Sequence, residues 1–174
     1  MQHVSMSTYL ISNQTMAIIS INQEHYHSLI LEPDKKIVTV KKPIQILHES
    51  CIVAGSTFNG RRLAIKEMLG TDKKLPVPVD SERGIYIIAT SAVKNEECAW
   101  VSYSHIQKFQ DKDYQTLITF RNGYELLVDT SRKSFEQLYY RTSNIVVQLN
   151  HNKLFGQEDY PPMCPLLKFH KRFT

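Results

Sequence analysis

Cys51 to Met68 reads CIVAGSTFNGRRLAIKEM, which predicts the end of one helix, a turn of small residues and the start of a second helix. Gly55 permits the positive φ that closes a helix, and Ser56 or Thr57 can cap the helix that follows. We expect Gly55, Ser56 and Gly60 to set the geometry of this turn. The pattern therefore predicts a pair of helices with a short connection.

The helix before the turn is predicted over residues 43 to 54. Pro43 suits the first turn of a helix, where its missing N–H would have no intrahelical acceptor. Ile44, Leu47 and Cys51 recur at three- and four-residue spacing, so they form one apolar face that enters the core. Cys51 is most simply a small buried hydrophobic residue, because a nucleophilic cysteine needs a neighbouring His or a helix N-terminus to lower its pKa.

The helix after the turn is basic and is predicted to run to Leu69 and stop at Gly70. Arg61 and Arg62 are adjacent near its start, and Arg62 and Lys66 share one helical face because they are four residues apart. Such a face can bind phosphate groups. The preceding turn lacks the Gly-Lys-Ser/Thr ending of a P-loop, so a mononucleotide site is not indicated.

The other apolar runs predict strands joined by short turns. Asn-Gly is the preferred residue pair in a two-residue type I′ turn, so Asn122-Gly123 predicts a β-hairpin with Arg121 at its tip. A third helix is predicted to begin at Thr130 or Ser131. The sequence thus predicts an α+β fold, a single domain with a mostly antiparallel β-sheet and about three helices. The predicted strands cover residues 9–11, 16–21, 26–31, 37–40, 85–89, 99–103, 114–120 and 124–128.

Composition favours one folded domain, because 174 residues with 42% hydrophobic content can bury a substantial core. Cys51, Cys98 and Cys164 are widely spaced without a CxxC pair, so neither a disulfide framework nor a zinc site is indicated. No N-terminal segment has the pattern of a signal peptide, and no apolar run approaches the roughly 18 residues that span a bilayer. We expect a cytoplasmic protein with no membrane partner.

Charge is unevenly distributed along the chain. The formal net charge is +4, and residues 35 to 74 hold nine basic and three acidic residues, whereas residues 1 to 34 hold no Lys or Arg. Clustered positive charge favours a polyanionic partner, because binding releases counterions from the polyanion. The alternative is a basic face that is simply solvated.

Residues with catalytic or metal-binding chemistry do not form a convincing set. His25 and His27 lack a third ligand nearby, so we interpret them as an ordinary exposed or half-buried pair. Trp100 and Tyr103 could stack on bases, but a lone tryptophan in a strand-rich segment is more typical of a core. His105 has no orienting carboxylate at a recognisable spacing, and the acidic residues are scattered. We therefore predict no metal, no cofactor and no enzymatic activity.

Several short motifs occur in the order and with the spacing of a known family. Over residues 36 to 145 the chain resembles the competence transcription factor family ComK of Firmicutes. No single motif is specific to this family, but the ordered set of motifs is. The motifs are Lys42-Pro43-Ile-Gln45-Ile, Ser50-Cys51, Gly55-Ser56-Thr57, Gly60-Arg61, Pro76-Val-Pro-Val, Cys98-Ala-Trp100, His105, Phe120-Arg-Asn-Gly123, and Ser134-Phe135 to Arg141-Thr142.

The resemblance implies a DNA-binding activator of genes for DNA uptake and recombination, associated with the nucleoid. Members of this family recognise paired AT-rich boxes in double-stranded DNA, largely through the minor groove, and act as more than a monomer. The physical chemistry is compatible, because A-tracts narrow the minor groove and deepen its negative potential. Paired boxes also suit symmetric copies placed a whole number of DNA turns apart.

The resemblance and the charge pattern together assign candidate DNA contacts. Gly60-Arg61 with the adjacent Arg62 is the leading candidate, and other cations are candidates for phosphate contacts. Trp100, Phe120 and Phe135 are assigned to the scaffold. The additional phosphate candidates are Lys66, Lys73, Lys74, Arg121, Arg132 and Arg141.

Residues 1 to 150 are predicted to form the ComK-like DNA-binding domain, and residues 151 to 174 an irregular C-terminal tail. In the family, the tail serves transcription activation, which involves RNA polymerase directly or indirectly, and recognition by an adaptor of a Clp protease. The segment from Asp159 to Phe169 is only loosely similar to that tail. An alternative function is a shortened regulatory module that acts through protein–protein interaction without strong DNA binding.

Overall fold

The computed structural model describes residues 2–93, 95 and 98–156, with only the backbone for residues 2 and 3. The chain forms an α+β fold with ten strands and four helices in this described part. The helices are α1 (Pro43–Val53), α2 (Phe58–Leu69), α3 (Arg132–Leu149) and α4 (His151–Phe155), and a 3₁₀ turn covers Tyr103–His105. The strands are β1 (Gln2–Met6), β2 (Ala17–Ser20), β3 (Ser28–Leu31), β4 (Lys35–Thr39), β5 (Val77–Asp80), β6 (Ile85–Ala89), β7 (Trp100–Ser102), β8 (Ile106–Lys112), β9 (Gln115–Phe120) and β10 (Glu125–Val128).

Two sheets form the framework. The larger sheet has seven strands in the order β1-β4-β3-β2-β7-β6-β5, and the smaller has the order β10-β9-β8. Only the β1–β4 pair is parallel among the described strands, and every other pair is antiparallel. The predicted α+β class and mostly antiparallel pairing are confirmed.

The seven-stranded sheet lies between two hydrophobic cores. On one side, Leu47 and Cys51 of α1 and Phe58 of α2 pack with Ile18, Ile87 and other sheet residues. On the other, α3 and the small sheet cover a second core that includes Met16, Val101, Phe120 and Phe135. These residues are buried, as the sequence predicted for Cys51, Phe120 and Phe135. The protein is therefore one domain with helices on both faces of the large sheet.

A third, smaller cluster joins α2 to α3. Ile65 of α2 and Ile145 of α3 pack with Leu75 and Tyr86. All four side chains are buried. This contact fixes the position of the basic helix relative to α3, which matters for the candidate site.

The predicted type I′ turn at Asn122-Gly123 is wrong. Gly123 has φ +83 but Asn122 is not among the residues with positive φ, and Gly123 N–H donates to Phe120 O at 2.9 Å. A three-residue loop therefore joins β9 to β10, ending in a left-handed glycine. A two-residue turn with positive φ at both positions occurs instead at Asp113 and Tyr114, between β8 and β9.

Other segments also differ from the sequence predictions. Residues 9–11 form no strand, because the Tyr9 hydroxyl donates to Glu32 at 2.7 Å and Ile11 N–H donates to Ser50 Oγ at 2.9 Å, which directs the segment into the core. The short helix α4 occupies the start of the predicted irregular tail. Residues 157 to 174 of that tail lie outside the described residues. No helix in the described ranges has the length and hydropathy to cross a bilayer.

Candidate nucleic-acid interface

Arg61 lies at the joint between α1 and α2. Its Nη2 donates to the Ala54 carbonyl at 2.5 Å, and Ala54 is the residue at which α1 ends. Its Nε is buried without a hydrogen-bond partner among the described residues. Because the C-terminal end of a helix carries partial negative charge, the guanidinium is stabilised there. Arg61 thus has a structural contact within the protein, apart from any contact with DNA.

The turn before α2 depends on two glycines and a threonine. Gly55 has φ +86, and a Cβ on Gly60 would lie 3.0 Å from the hydroxyl oxygens of Ser56 and Thr57. Gly60 N–H donates to Thr57 Oγ1 at 2.9 Å, which makes Thr57 the N-cap of α2. Of the two predicted caps, Thr57 is therefore the one that the structure uses. This close turn places Arg61 and Arg62 in the first turns of α2.

Arg62 lies between two surface grooves. Its Cζ is 5.6 Å from the centroid of the Phe58 ring, an arrangement that allows a cation–π interaction. One groove, of about 490 Å³, runs between α1 and α2 and includes His48 and Glu49. The other, of about 600 Å³, lies between α2 and α3, and we call it the α2–α3 groove. Its lining residues are Arg62, Asp72, Lys73, Lys74, Leu75, Ala89, Thr90, Ser91, Ala92, Val93, Thr130, Ser134 and Leu138.

The loop after α2 is attached to α3 by two hydrogen bonds. Arg141 Nη1 donates to the Lys73 carbonyl at 2.6 Å, and Lys74 Nζ donates to Gln137 Oε1 at 2.8 Å. The side chains of Lys73 and Lys74 are both exposed. The structure thus brings α3, which is distant in sequence, next to α2 and the loop that follows it.

Ion pairing separates the predicted contact residues into two groups. Arg132 pairs with Glu136 at 3.3 Å, so its charge is partly neutralised. In the described part of the chain, no ion pair with a carboxylate involves the other cations of this region. We call this group the basic face, and its members are Arg62, Lys66, Lys73, Lys74 and Arg141.

Arg121 lies elsewhere on the protein. It is on the β9–β10 loop, where its Nε donates to the Ser104 carbonyl at 2.8 Å. The same loop lies near His105, whose Nε2 is 2.7 Å from the Asn13 carbonyl oxygen. The structure therefore does not bring Arg121 together with the basic face.

Residues considered for other chemistry are mostly structural. Trp100 is buried and packs edge-to-face on Phe58 with centroids 5.9 Å apart, which confirms its assignment to the scaffold. Burial raises the pKa of the Cys51 thiol to about 11, although the charge of Arg61 acts in the opposite direction. A buried, protonated thiol is a poor nucleophile. Cys51 therefore acts as part of the core, as the sequence predicted.

Sequence reasoning missed three hydroxyl residues in the α2–α3 groove. Ser91, Thr130 and Ser134 line it together with the cations. Ser91 Oγ is buried and has no hydrogen-bond partner among the described residues. No local motif marks these residues, because they reach the groove only through the packing of β6 and α3.

Comparisons with known proteins show the family to which this chain belongs. The model of the ComK protein family matches residues 6–153. The chain belongs to the ComK family. It is 29% identical over 140 residues to the competence transcription factor of Bacillus subtilis (strain 168), an alignment that covers 79% of this chain and 73% of that protein. No solved structure matches the chain. The family match includes all the helices that carry the basic face.

Proposed function

We propose that this member of the ComK family is a non-enzymatic transcription activator that binds DNA to turn on competence genes. The observation that carries the proposal is the basic face, a set of cations without carboxylate partners in the described structure. Cations that are not paired within a protein are free to neutralise phosphates. The relative in Bacillus subtilis is named a competence transcription factor, which supports the same function.

The DNA that we propose is AT-rich and is read largely through the minor groove. Arginine is the residue best suited to a narrow minor groove, because the negative potential there is strong. Arg62 is half-buried at the junction of two grooves and its guanidinium lies over Phe58. That contact limits the rotamers of the side chain, so less conformational entropy is lost when it binds DNA.

We further propose that several copies act together, with residues 1 to 150 carrying DNA binding. Residues 151 to 174 would contact RNA polymerase or its partners and the adaptor of a Clp protease. The protein would then reside in the cytoplasm with the nucleoid. Tyr140 and Val147 are exposed and seven residues apart on α3, so they share one face of that helix, and Leu154 on the following helix α4 is also exposed.

The test is fluorescence anisotropy of the purified protein on an AT-box duplex and on a GC-rich duplex across a range of salt concentration. The proposal predicts tighter binding to the AT-rich duplex and a steep negative slope of log K against log salt. Equal and weak binding to both duplexes would contradict it.

A second candidate function is a regulatory module that acts through protein–protein contacts without strong DNA binding. The observation that favours it is the same exposed apolar set on α3 and α4, which a DNA-binding role does not require. This function predicts association with another protein that is insensitive to salt. The anisotropy titration distinguishes the two candidates.

A further inference from the structure

The α2–α3 groove combines features that are suited to a phosphate group. Arg62, Lys73 and Lys74 line it, and Asp72 is the single carboxylate among its lining residues. Three positive charges against one negative charge leave a net positive groove. None of the three cations forms an ion pair with a described carboxylate. The groove therefore presents positive charge that the protein itself does not neutralise.

The loop that carries the two lysines is held in an unfavourable backbone conformation. Lys74 has φ +54, a left-handed conformation that a residue with a Cβ rarely adopts. Gln137 accepts a hydrogen bond from Lys74 Nζ, and Arg141 donates one to the Lys73 carbonyl. Strained backbone that the surrounding structure holds in place is common at ligand sites. Here α3 holds the loop so that Lys73 and Lys74 line the groove.

Neutral donors complete the groove. Ser91 Oγ is buried on its wall and lacks a partner among the described residues, although a hydroxyl can both donate and accept. Thr130 and Ser134 line the groove next to the first turn of α3. The N-terminal end of a long helix favours an anion, because its free N–H groups and its dipole are directed there. Cations and hydroxyl donors together match the oxygen atoms of a phosphodiester.

We propose that the α2–α3 groove binds the phosphodiester backbone of DNA, an inference that rests on the proposed function. Lys73 and Lys74 contact phosphate oxygens, and the hydroxyl of Ser91 donates to the same group, while Arg62 at the edge of the groove remains available for the minor groove. Arg141 is a positioning residue, since its guanidinium is occupied by the Lys73 carbonyl. The groove thereby fixes the register of the protein on the duplex, while base selection is left to other contacts.

The first experiment compares two double variants in the anisotropy titration on the AT-box duplex. Lys73→Gln with Lys74→Gln removes two charges from the groove. Lys108→Gln with Lys112→Gln removes two charges from exposed positions of β8 and is the matched control. The groove variant is expected to bind roughly ten-fold more weakly at moderate salt, with a slope less negative by about 2, because two phosphate contacts are lost. The control is expected to retain the slope of the parent protein.

The second experiment tests the positioning role of Arg141 by a double-mutant cycle. Arg141→Gln alone should make the salt slope less negative, and adding Arg141→Gln to Lys73→Gln should cause little further loss of affinity. A merely structural role would lower the thermal midpoint and leave the slope unchanged. Additive effects of the two substitutions would overturn the positioning role.

The outcomes separate this inference from the function on which it rests. If the parent protein shows no salt-dependent binding to either duplex, both proposals fail. If the parent binds with a steep slope but the groove variant keeps that slope, the groove assignment fails and the DNA-binding function stands. If the groove variant loses affinity only for free inorganic pyrophosphate and not for the duplex, the site binds a small anion and the assignment to DNA is wrong.

Discussion

Arg61 and Arg62 are adjacent in sequence but differ in what they contact. Arg61 donates to the carbonyl at the end of α1, whereas Arg62 lies over the Phe58 ring at the edge of the α2–α3 groove. We expect Arg61→Ala to lower the free energy of unfolding by about 1–2 kcal/mol, because a charged hydrogen bond at the end of a helix is lost. Arg62→Ala should change it by less than about 0.5 kcal/mol.

Urea denaturation measures the free energy of unfolding of both variants. Anisotropy at a temperature where both remain folded then measures their affinity for DNA. Arg62→Ala should weaken DNA binding without loss of stability. Identical urea midpoints for the two variants would show that the contact between Arg61 and Ala54 does not stabilise the helix joint.

Cys51 gives the protein a dependence of stability on alkaline pH. Burial disfavours the thiolate and raises the pKa of the Cys51 thiol from its ordinary value of 9.0 to about 11. The stabilising contribution is therefore fully present below about pH 9 and is lost as the pH rises towards about 11, with an upper limit of about 3 kcal/mol for a shift of two pKa units. Burial also raises the pKa of Tyr9 and of Tyr86, which acts in the same direction.

The comparison of the parent protein with Cys51→Ala isolates the thiol, since the tyrosines are common to both. Urea midpoints measured at about pH 8 and about pH 10 should fall more in the parent protein than in the variant. An equal fall of the urea midpoint in the parent protein and in the variant would mean that the thiol has its ordinary pKa in the folded protein.

At the scale of elements, α2 depends on a single side-chain cap. Thr57 Oγ1 accepts from Gly60 N–H at 2.9 Å, and Thr57 precedes the first helical residue. Thr57→Ala is expected to lower the free energy of unfolding by about 1 kcal/mol, since one N–H at the start of the helix loses its acceptor. Ser56→Ala is the matched control and should change stability by only a few tenths of a kcal/mol. A larger effect of Ser56→Ala in thermal or urea denaturation would contradict the assignment of the cap.

The three long helices were predictable from the sequence, but α4 was not, and the small sheet was predictable only in part. Local signals mark α1 and α2, because Pro43, Thr57 and Gly70 occupy the terminal positions that suit them. Strand β8 has mostly exposed, polar residues, so no apolar alternation identifies it. It forms because β9 pairs with it, and the turn at Asp113 and Tyr114 carries none of the usual glycine signal.

At the scale of the whole molecule, the candidate site combines parts that no single motif contains. The sequence identified the cations of α2 and of the following loop, which are close together in the chain. It could not identify Ser91 or Ser134, because these residues reach the groove through packing between α2, β6 and α3. Charge patterning predicts which residues can bind a polyanion, whereas ion pairs within the folded chain decide which of them are free to do so.

The outer side of α3 and α4 supplies the last prediction, which concerns assembly. Tyr140, Val147 and Leu154 are 62%, 44% and 55% exposed, and Val147 lies midway between the other two. A two-fold contact centred on Val147 would cover the exposed apolar side chains of both copies with each other, which is the self-complementary arrangement of a symmetric dimer. We expect Val147→Lys to lower the mass measured by light scattering towards that of a monomer, because two like charges would face each other at the axis.

The control for this substitution is Leu63→Lys, which places the same charge on an exposed leucine of α2. Leu63→Lys should keep the thermal midpoint of the parent protein, and Val147→Lys should lower it only through loss of the assembly, since neither side chain belongs to the core. The Val147→Lys variant should also bind a duplex with two AT boxes more weakly than the parent does, while its binding to a single box is nearly unchanged, because only the paired site benefits from linked copies. An unchanged mass for Val147→Lys would contradict the role of this surface in the proposed assembly.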